Sequence, residues 1–324
     1  MDGAPAGPAA AAEHVTSATW GRAAGAATVL GAAGLAYASL EARWFTLRRV
    51  TVPVLPAGVP EMRVLHLSDL HLVPGQDRKV AWVRSLASLD PHLVVDTGDN
   101  MAHVDALPPL LHALEPLLDR PGAFVMGSND YYAPVPKNPA RYLRRDPRGA
   151  ASRPPARLPA ADLGAALRRA GWKDLTNRRD VVEVQGQRVS LVGVDDPHLD
   201  RDHFPAATRS HRSSTDLRLA VAHAPYRRVL DVMHADGADL VLAGHTHGGQ
   251  LCLPGVGALV TNCDLDRGRA KGLHGWPGAR PDEPGGADST WLHVSAGLGT
   301  SPYAPVRFAC RPEATLLTLV PRAA

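Results

Sequence analysis

Residues 62–71 read MRVLHLSDLH. The first seven, MRVLHLS, form a short, largely apolar strand candidate, and the chain leaves it through Ser68, Asp69, Leu70 and His71. DRKVAWVRSLASL (77–89) follows, with Val80, Val83, Leu86 and Ala87 at helical spacing. HLVVDTG (92–98) reads as a second buried strand, VDALPPLLHALEPLL (104–118) as a leucine-spaced helix despite its prolines, and AFVMG (123–127) as a third strand. Strand, helix, strand, helix, strand predicts an α/β fold with a parallel sheet and ligands at the carboxyl ends of the strands. Further strands are expected at VVEV, RVSLVGV, LRLAVAH, DLVLAG, TWLHVSAG and ATLLTLV; the short turns between several of them predict antiparallel pairing in part of the second half.

The residues at the strand ends carry the chemistry. The first strand ends in Asp69 and His71, the second in Gly98-Asp99-Asn100, the third in Gly127-Ser128-Asn129-Asp130. LRLAVAH ends in His223, and DLVLAG runs into AGHTHGGQL (243–251), with His245 and His247 one residue apart. Carboxylate, amide and imidazole groups brought to one rim suit Mn, Fe or Zn. Paired glycines beside them let backbone and substrate approach closely. GVDDPHLDRDHF (193–204) places Asp195, Asp196 and His198 after another strand, where they are expected to line the same rim in a supporting role. Arg267, Arg269 and Lys271 are candidates either for substrate contact or for a solvated turn.

Composition narrows the function classes. The 324 residues are 45% hydrophobic, enough for one large domain, and the net charge is only +3 with 5% aromatics. A nucleic-acid groove built on basic and stacking side chains is not favoured. Three cysteines, Cys252, Cys263 and Cys310, without a CxxC pair, predict buried free thiols rather than disulfides or a thiolate metal site.

SDLH, GDN, VAH and GHTHGGQ resemble the calcineurin-like metallophosphoesterase superfamily, and the membrane-leader arrangement with GHTHGGQ resembles its bacterial membrane-associated branch, which includes lipid and nucleotide-sugar pyrophosphatases. The resemblance implies a four-layer sandwich of two mixed β-sheets flanked by helices. It implies two divalent metal ions (Mn, Fe or Zn), one held by Asp69, His71 and His247, the other by His223, His245 and an Asn carbonyl oxygen, with Asp99 bridging them. The shared water becomes the hydroxide that attacks phosphorus in line, and Asn100 contacts a phosphate oxygen or a ligand. The family usually reads G-N-H-D or G-N-H-E, and this chain reads G-S-N-D at 127–130. Either Ser128 occupies the ligand position, or a shift by one makes Asn129 the ligand, followed by Asp130; the second is preferred because an amide is the better neutral oxygen ligand. In both alignments the usual histidine is missing. Asn cannot donate a proton as an acid near pH 7, and Asp130 can only with a raised pKa. The expected reaction is therefore hydrolysis of a phosphodiester or pyrophosphate with a good leaving group. A catalytically silent metal-dependent binding or sensor module is the alternative.

The expected organisation is a disordered N-terminus (1–20), a transmembrane anchor (21–42) and the catalytic domain (50–322). AAGAATVLGAAGLAYASL (23–40) has no charge over a length near that of a bilayer span. Arg43, Arg48 and Arg49 follow it while only Arg22 precedes it, which favours a cytoplasmic catalytic domain on a single-pass membrane protein. Residues 133–160 form a Pro/Arg-rich insertion with Lys137, Arg141, Arg144, Arg145, Arg148, Arg153 and Arg157 against Asp146. That stretch is either a solvated loop or a basic lid that meets anionic lipid or a substrate diphosphate. The expected partners are a phosphorylated small-molecule or lipid-linked substrate and the membrane.

Overall fold

The computed structural model describes residues 9–136, 155–206 and 217–322. Two six-stranded sheets pack face to face. The first contains β1 (Thr46–Leu55), β2 (Met62–Leu67), β3 (Leu93–Asp96), β4 (Gly122–Phe124), β5 (Lys173–Asp174) and β14 (Glu313–Pro321), in the order β1-β14-β2-β3-β4-β5. The second contains β6 (Arg178–Val184), β7 (Gln187–Gly193), β8 (Leu217–Ala222), β9 (Leu240–Ala243), β12 (Gly272–Trp276) and β13 (Thr290–Val294), in the order β12-β13-β9-β8-β7-β6. A small hairpin, β10 (Cys252–Leu253) and β11 (Gly257–Ala258), stands apart. β2, β3 and β4 are mutually parallel, as are β7, β8 and β9. Antiparallel pairing occurs where a short turn predicts it, at β6–β7, and also at β12–β13, whose first strand was not expected.

Side-chain alternation explains why these sheets stack. On β2, Met62 and Val64 face the other sheet while Leu65 and Leu67 face helices; on β3, Leu93 and Val95 face inward and Val94 outward. On β8, Leu217, Leu219 and Val221 point into the inter-sheet core, and Ala220 and Ala222 point to the opposite face. Both faces are buried, so these strands read as continuous apolar runs. The outer face of the first sheet is covered by α2 (Asp77–Ser85), α3 (Leu107–Leu114) and α5 (Ala160–Arg169), through Val80, Val83, Leu110, Leu114, Leu163 and Leu167. The outer face of the second is covered by α6 (Arg227–Ala235), through Val229, Leu230 and Met233. This is the helix–sheet–sheet–helix arrangement expected. A one-turn helix, α4 (Ser128–Tyr131), follows β4.

The N-terminal expectations need correction. Helix α1 runs from Ala9 to Glu41, so it begins inside the stretch expected to be disordered; alanine, the strongest helix former, dominates that stretch. Residues 21–42 were expected to cross a membrane, but among the described residues no helix is long and apolar enough to do so. Alanine and glycine, which fill much of the segment, contribute little apolar surface per residue. The C-terminal end of α1 docks on the domain: Glu41 is buried and accepts from the backbone N–H groups of Cys310 at 2.7 Å and Ala309 at 3.0 Å. Residues 137–154, which carry most of the basic insertion, lie outside the described residues. Where the chain re-enters, Tyr132 bridges Arg157, and Ala133 N donates to the Ala156 carbonyl at 2.8 Å. The cysteines are free and buried, as expected.

Candidate metal centre

The carboxyl ends of β2, β3 and β4 in one sheet and of β8 and β9 in the other meet at one edge of the sandwich. The first two loops are laced together: Asp69 N donates to the Gly98 carbonyl at 2.9 Å, His71 N to the Asp99 carbonyl at 2.9 Å, and Leu72 N to the Asn100 carbonyl at 2.8 Å. The second sheet joins through His245 N, which donates to Asp69 Oδ2 at 3.0 Å. Asp69, His71, Asp99, His245 and His247 all adopt positive φ, between 41° and 68°. For non-glycine residues that backbone costs about 1–3 kcal/mol each and persists only where the surroundings impose it. Two glycines make room. A Cβ on Gly127 would lie 2.7 Å from Asp99 N and 2.8 Å from His223 Cε1, and one on Gly244 would lie 2.6 Å from Asp69 Oδ2.

Asp69, His71 and His247 offer ligand atoms within 4.8 Å of one another, and so do Asp69, Asp99 and His223. Asp99 turns one oxygen to each side: Oδ2 is 3.4 Å from His71 Nε2, and Oδ1 is 3.4 Å from His223 Nε2. His71 Nε2 faces His247 Nε2 at 3.1 Å, and His223 Nε2 faces His245 Nδ1 at 3.2 Å. Carbonyls behind the rings set the tautomers. His223 Nδ1 donates to Thr97 at 2.8 Å, His247 Nδ1 to Gly299 at 3.1 Å, and His245 Nε2 to Asn262 at 3.2 Å. In each ring the nitrogen that faces a carbonyl lies on the outside, and the other nitrogen points into the cluster. Of the three carbonyl acceptors only Thr97 lies beside a ligand motif, because the place of a backbone carbonyl is set by the path of the chain.

These residues fit divalent cations. Lone pairs of facing imidazoles meet between carboxylates, and two buried atoms, His71 Nδ1 and Asn100 Oδ1, have no hydrogen-bond partner among the described residues. Burial lowers His71 to about 4 and His247 to about 3, so both rings are neutral at pH 7. His245 is lowered by burial and by His198 and His223. Burial pushes the Asp99 carboxyl up, but His223 and His71 outweigh it and hold Asp99 below the usual carboxylate range. For His223, burial favours the neutral ring, and Asp99 outweighs it to raise the pKa.

The GSND segment resolves into distinct roles. Ser128 Oγ faces Asp99 Oδ1 at 3.5 Å, and Asn129 N donates to the same oxygen at 2.6 Å. Nδ2 of the Asn129 amide, whose oxygen the sequence reading preferred as ligand, donates to the Tyr132 carbonyl at 2.9 Å. Ser128 thus turns its hydroxyl, and Asn129 its backbone N–H, to Asp99. Asp130 is fully buried and accepts from three backbone N–H groups, those of Gly127, Asp99 and Asn100, each at 2.9 Å. It clamps the second and third loops together rather than facing a leaving group. Burial, with the charges of Asp99 and Asp96, pushes its carboxyl up to about 8. Asn100 donates through Nδ2 to Asp96 Oδ2 at 2.9 Å.

The loop after β7 joins the rim as expected. Asp196 Oδ1 accepts from His198 N at 2.9 Å, and the His198 ring lies 4.7 Å from that of His245. Arg269, by contrast, is spent on its own turn, bonding Asp266 and the carbonyls of Pro277 and Gly278.

Residues 62–249 match the calcineurin-like phosphoesterase family. An uncharacterized metallophosphoesterase of Aquifex aeolicus is 28% identical over 295 residues, 88% of this chain and 95% of the relative. The phosphodiesterase YaeI of Escherichia coli is 27% identical over 306 residues, 91% of this chain and 96% of the relative. A Bos taurus transmembrane protein with a metallophosphoesterase domain is 26% identical over 311 residues, 90% of this chain and 60% of the relative.

Proposed function

The chain belongs to the calcineurin-like phosphoesterase family, a metal-dependent hydrolase of phosphoester bonds, and on that premise we propose that it cleaves a phosphodiester or pyrophosphate at a centre of two divalent cations. The observation that carries this reading is the Asp99 carboxylate, with one oxygen toward His71 and the other toward His223. Asp69, His71 and His247 would hold one cation; His223, His245 and Ser128 would hold the other, and Asp99 would be shared. Cations bound there supply a water acidic enough to ionise near neutral pH and positive charge for the phosphoryl oxygens. The chain's own part is to keep His71, His245 and His247 neutral by burial, to aim the rings through Thr97, Gly299 and Asn262, and to hold the loops in register through Asp130.

The same residues limit the substrate. Asn129 has no acidic proton to give, and Asp130 is turned to backbone N–H groups behind the loop. A leaving group that departs as a stable anion, such as a phosphate or an aryl oxide, needs no such donor. This favours pyrophosphates and activated diesters over alkyl monoesters. The substrate assigned is a phosphorylated small molecule or a lipid-linked pyrophosphate. The exposed Val29, Leu30, Leu35 and Leu40 of α1 support a place at a membrane surface for the second.

The test uses the full chain, stripped of metal and reloaded with Mn or Zn, on bis-p-nitrophenyl phosphate, p-nitrophenyl phosphate and UDP-glucose, beside Asp99→Ala. Two metals per chain and metal-dependent turnover that Asp99→Ala abolishes are expected. Two bound metals without turnover of any substrate would instead establish the silent binding module, and one metal per chain would reject the dinuclear centre.

A further inference from the structure

The loop from Asp195 to Arg201 carries side chains that the cation centre does not use, and it brackets that centre. At one end, the turn Pro197–Leu199 lays His198 against His245. At the other, the Arg201 guanidinium lies 4.0 Å over the ring of Tyr131, the last residue of α4, whose Ser128 and Asn129 face Asp99. Arg201 Nε donates to Asp195 Oδ2 at 2.7 Å, and Tyr131 Oη donates to Asp195 Oδ1 at 2.7 Å. Asp195 is itself fixed, its N–H donating to Asn177 Oδ1 at 2.8 Å.

The guanidinium is thus held on one edge by a carboxylate and on one face by an aromatic ring. Its Nη1 and Nη2 have no hydrogen-bond partner among the described residues, and the Arg201 side chain is 43% exposed while that of Asp195 is 5% exposed. A solvated arginine loses rotamer freedom when it grips an anion; one already clamped has little left to lose. Its outer edge presents parallel N–H groups that match two oxygens of a phosphoryl group.

We propose that Arg201 binds a second phosphoryl group of the substrate, the one that is not attacked, with Asp195 and Tyr131 as its positioning residues. This subsite rests on the proposed pyrophosphate chemistry and selects substrates with two linked phosphoryl groups over simple diesters.

The experiment compares wild type, Arg201→Gln and Arg201→Lys as full chains, Mn-loaded, on UDP-glucose and on bis-p-nitrophenyl phosphate, which has one phosphoryl group; metal content is measured by mass spectrometry. Loss of a charge-assisted bidentate contact predicts a KM for UDP-glucose raised about 10–100-fold in Arg201→Gln, with kcat within about threefold. The KM for bis-p-nitrophenyl phosphate and the metal content stay unchanged, and Arg201→Lys recovers part of the loss. Equal losses on both substrates would show a loop-tying salt bridge and overturn the subsite, as would no loss on either. Wild type that cleaves bis-p-nitrophenyl phosphate but not UDP-glucose overturns the pyrophosphate chemistry and the subsite together; wild-type cleavage of both without a selective loss overturns the subsite alone.

Discussion

A single methyl group at Gly127 tests the geometry of the centre. Gly127 caps α4 with φ −110° and ψ 175°, a backbone that alanine adopts freely, so Gly127→Ala carries no conformational penalty of its own. Its cost is steric. The new Cβ would sit 2.8 Å from His223 Cε1 and 2.7 Å from Asp99 N. Carbon atoms pack comfortably at about 3.5–4.0 Å, so His223 must retreat by roughly 0.7–1.2 Å, or α4 must part from the Asp99 loop. Parting would break the bonds that the Asp99 and Asn100 N–H groups donate to Asp130. Overpacking of this kind costs about 1–3 kcal/mol of stability, and a misplacement of about 1 Å in a catalytic constellation costs on the order of 100-fold in rate. Metal-reconstituted Gly127→Ala is therefore expected to lose about 100-fold in kcat/KM on bis-p-nitrophenyl phosphate, to hold fewer metal ions by mass spectrometry, and to unfold at lower temperature. Gly268→Ala is the control, because its Cβ meets only Asp266 Oδ1, at 3.3 Å. A Gly127→Ala protein with full metal content and kcat/KM within about threefold of wild type would refute the tight approach of loop to ligand.

Two further predictions concern the ligands. Ser128→Ala is expected to weaken binding of the second metal by about tenfold, whereas Asn129→Ala leaves metal stoichiometry unchanged; the reverse result in a metal titration would restore Asn129 as the ligand. His71 is held neutral to about pH 4 by burial, against 6.5 when unfolded. Its depressed pKa means that the native state binds fewer protons, so its contribution is complete above pH 6.5 and is lost as pH falls towards 4. A shift of that size corresponds to on the order of 3 kcal/mol. Metal-free wild type should therefore lose about that much stability relative to metal-free His71→Asn between pH 6.5 and 4, and parallel denaturation curves across that range would contradict it.

Much of the site is legible because each ligand adjoins an apolar run. Asp69, Asp99, His223 and His245 follow strands whose hydrophobicity is encoded locally, and the parallel order of those strands forces their ends to one edge. Strand β1 is not legible in the same way. TLRRVTVPVL contains Arg48, Arg49 and Pro53, which fit only because β1 is an edge strand; its partner β14 comes from the far end of the chain, with Thr46 opposite Glu313. The lack of charge over residues 23–40 suggested a bilayer span, yet charge alone does not measure apolar surface: the alanine and glycine there form a helix, but among the described residues no helix is long and apolar enough to cross a membrane.

By itself, then, the sequence determined which residue types stand at the strand ends, and with them the metal chemistry and the absence of the family's histidine. Only the tertiary structure decided that the Ser128 hydroxyl and the Asn129 backbone N–H face Asp99 while the Asn129 side-chain amide bonds the Tyr132 carbonyl, because that depends on where the single turn of α4 leaves that carbonyl. It also decided that Arg201 lies over Tyr131, a residue from the other sheet's loops. Side chains at strand ends inherit their place from a local pattern; contacts between loops depend on how two sheets stack, and no short stretch of sequence encodes that.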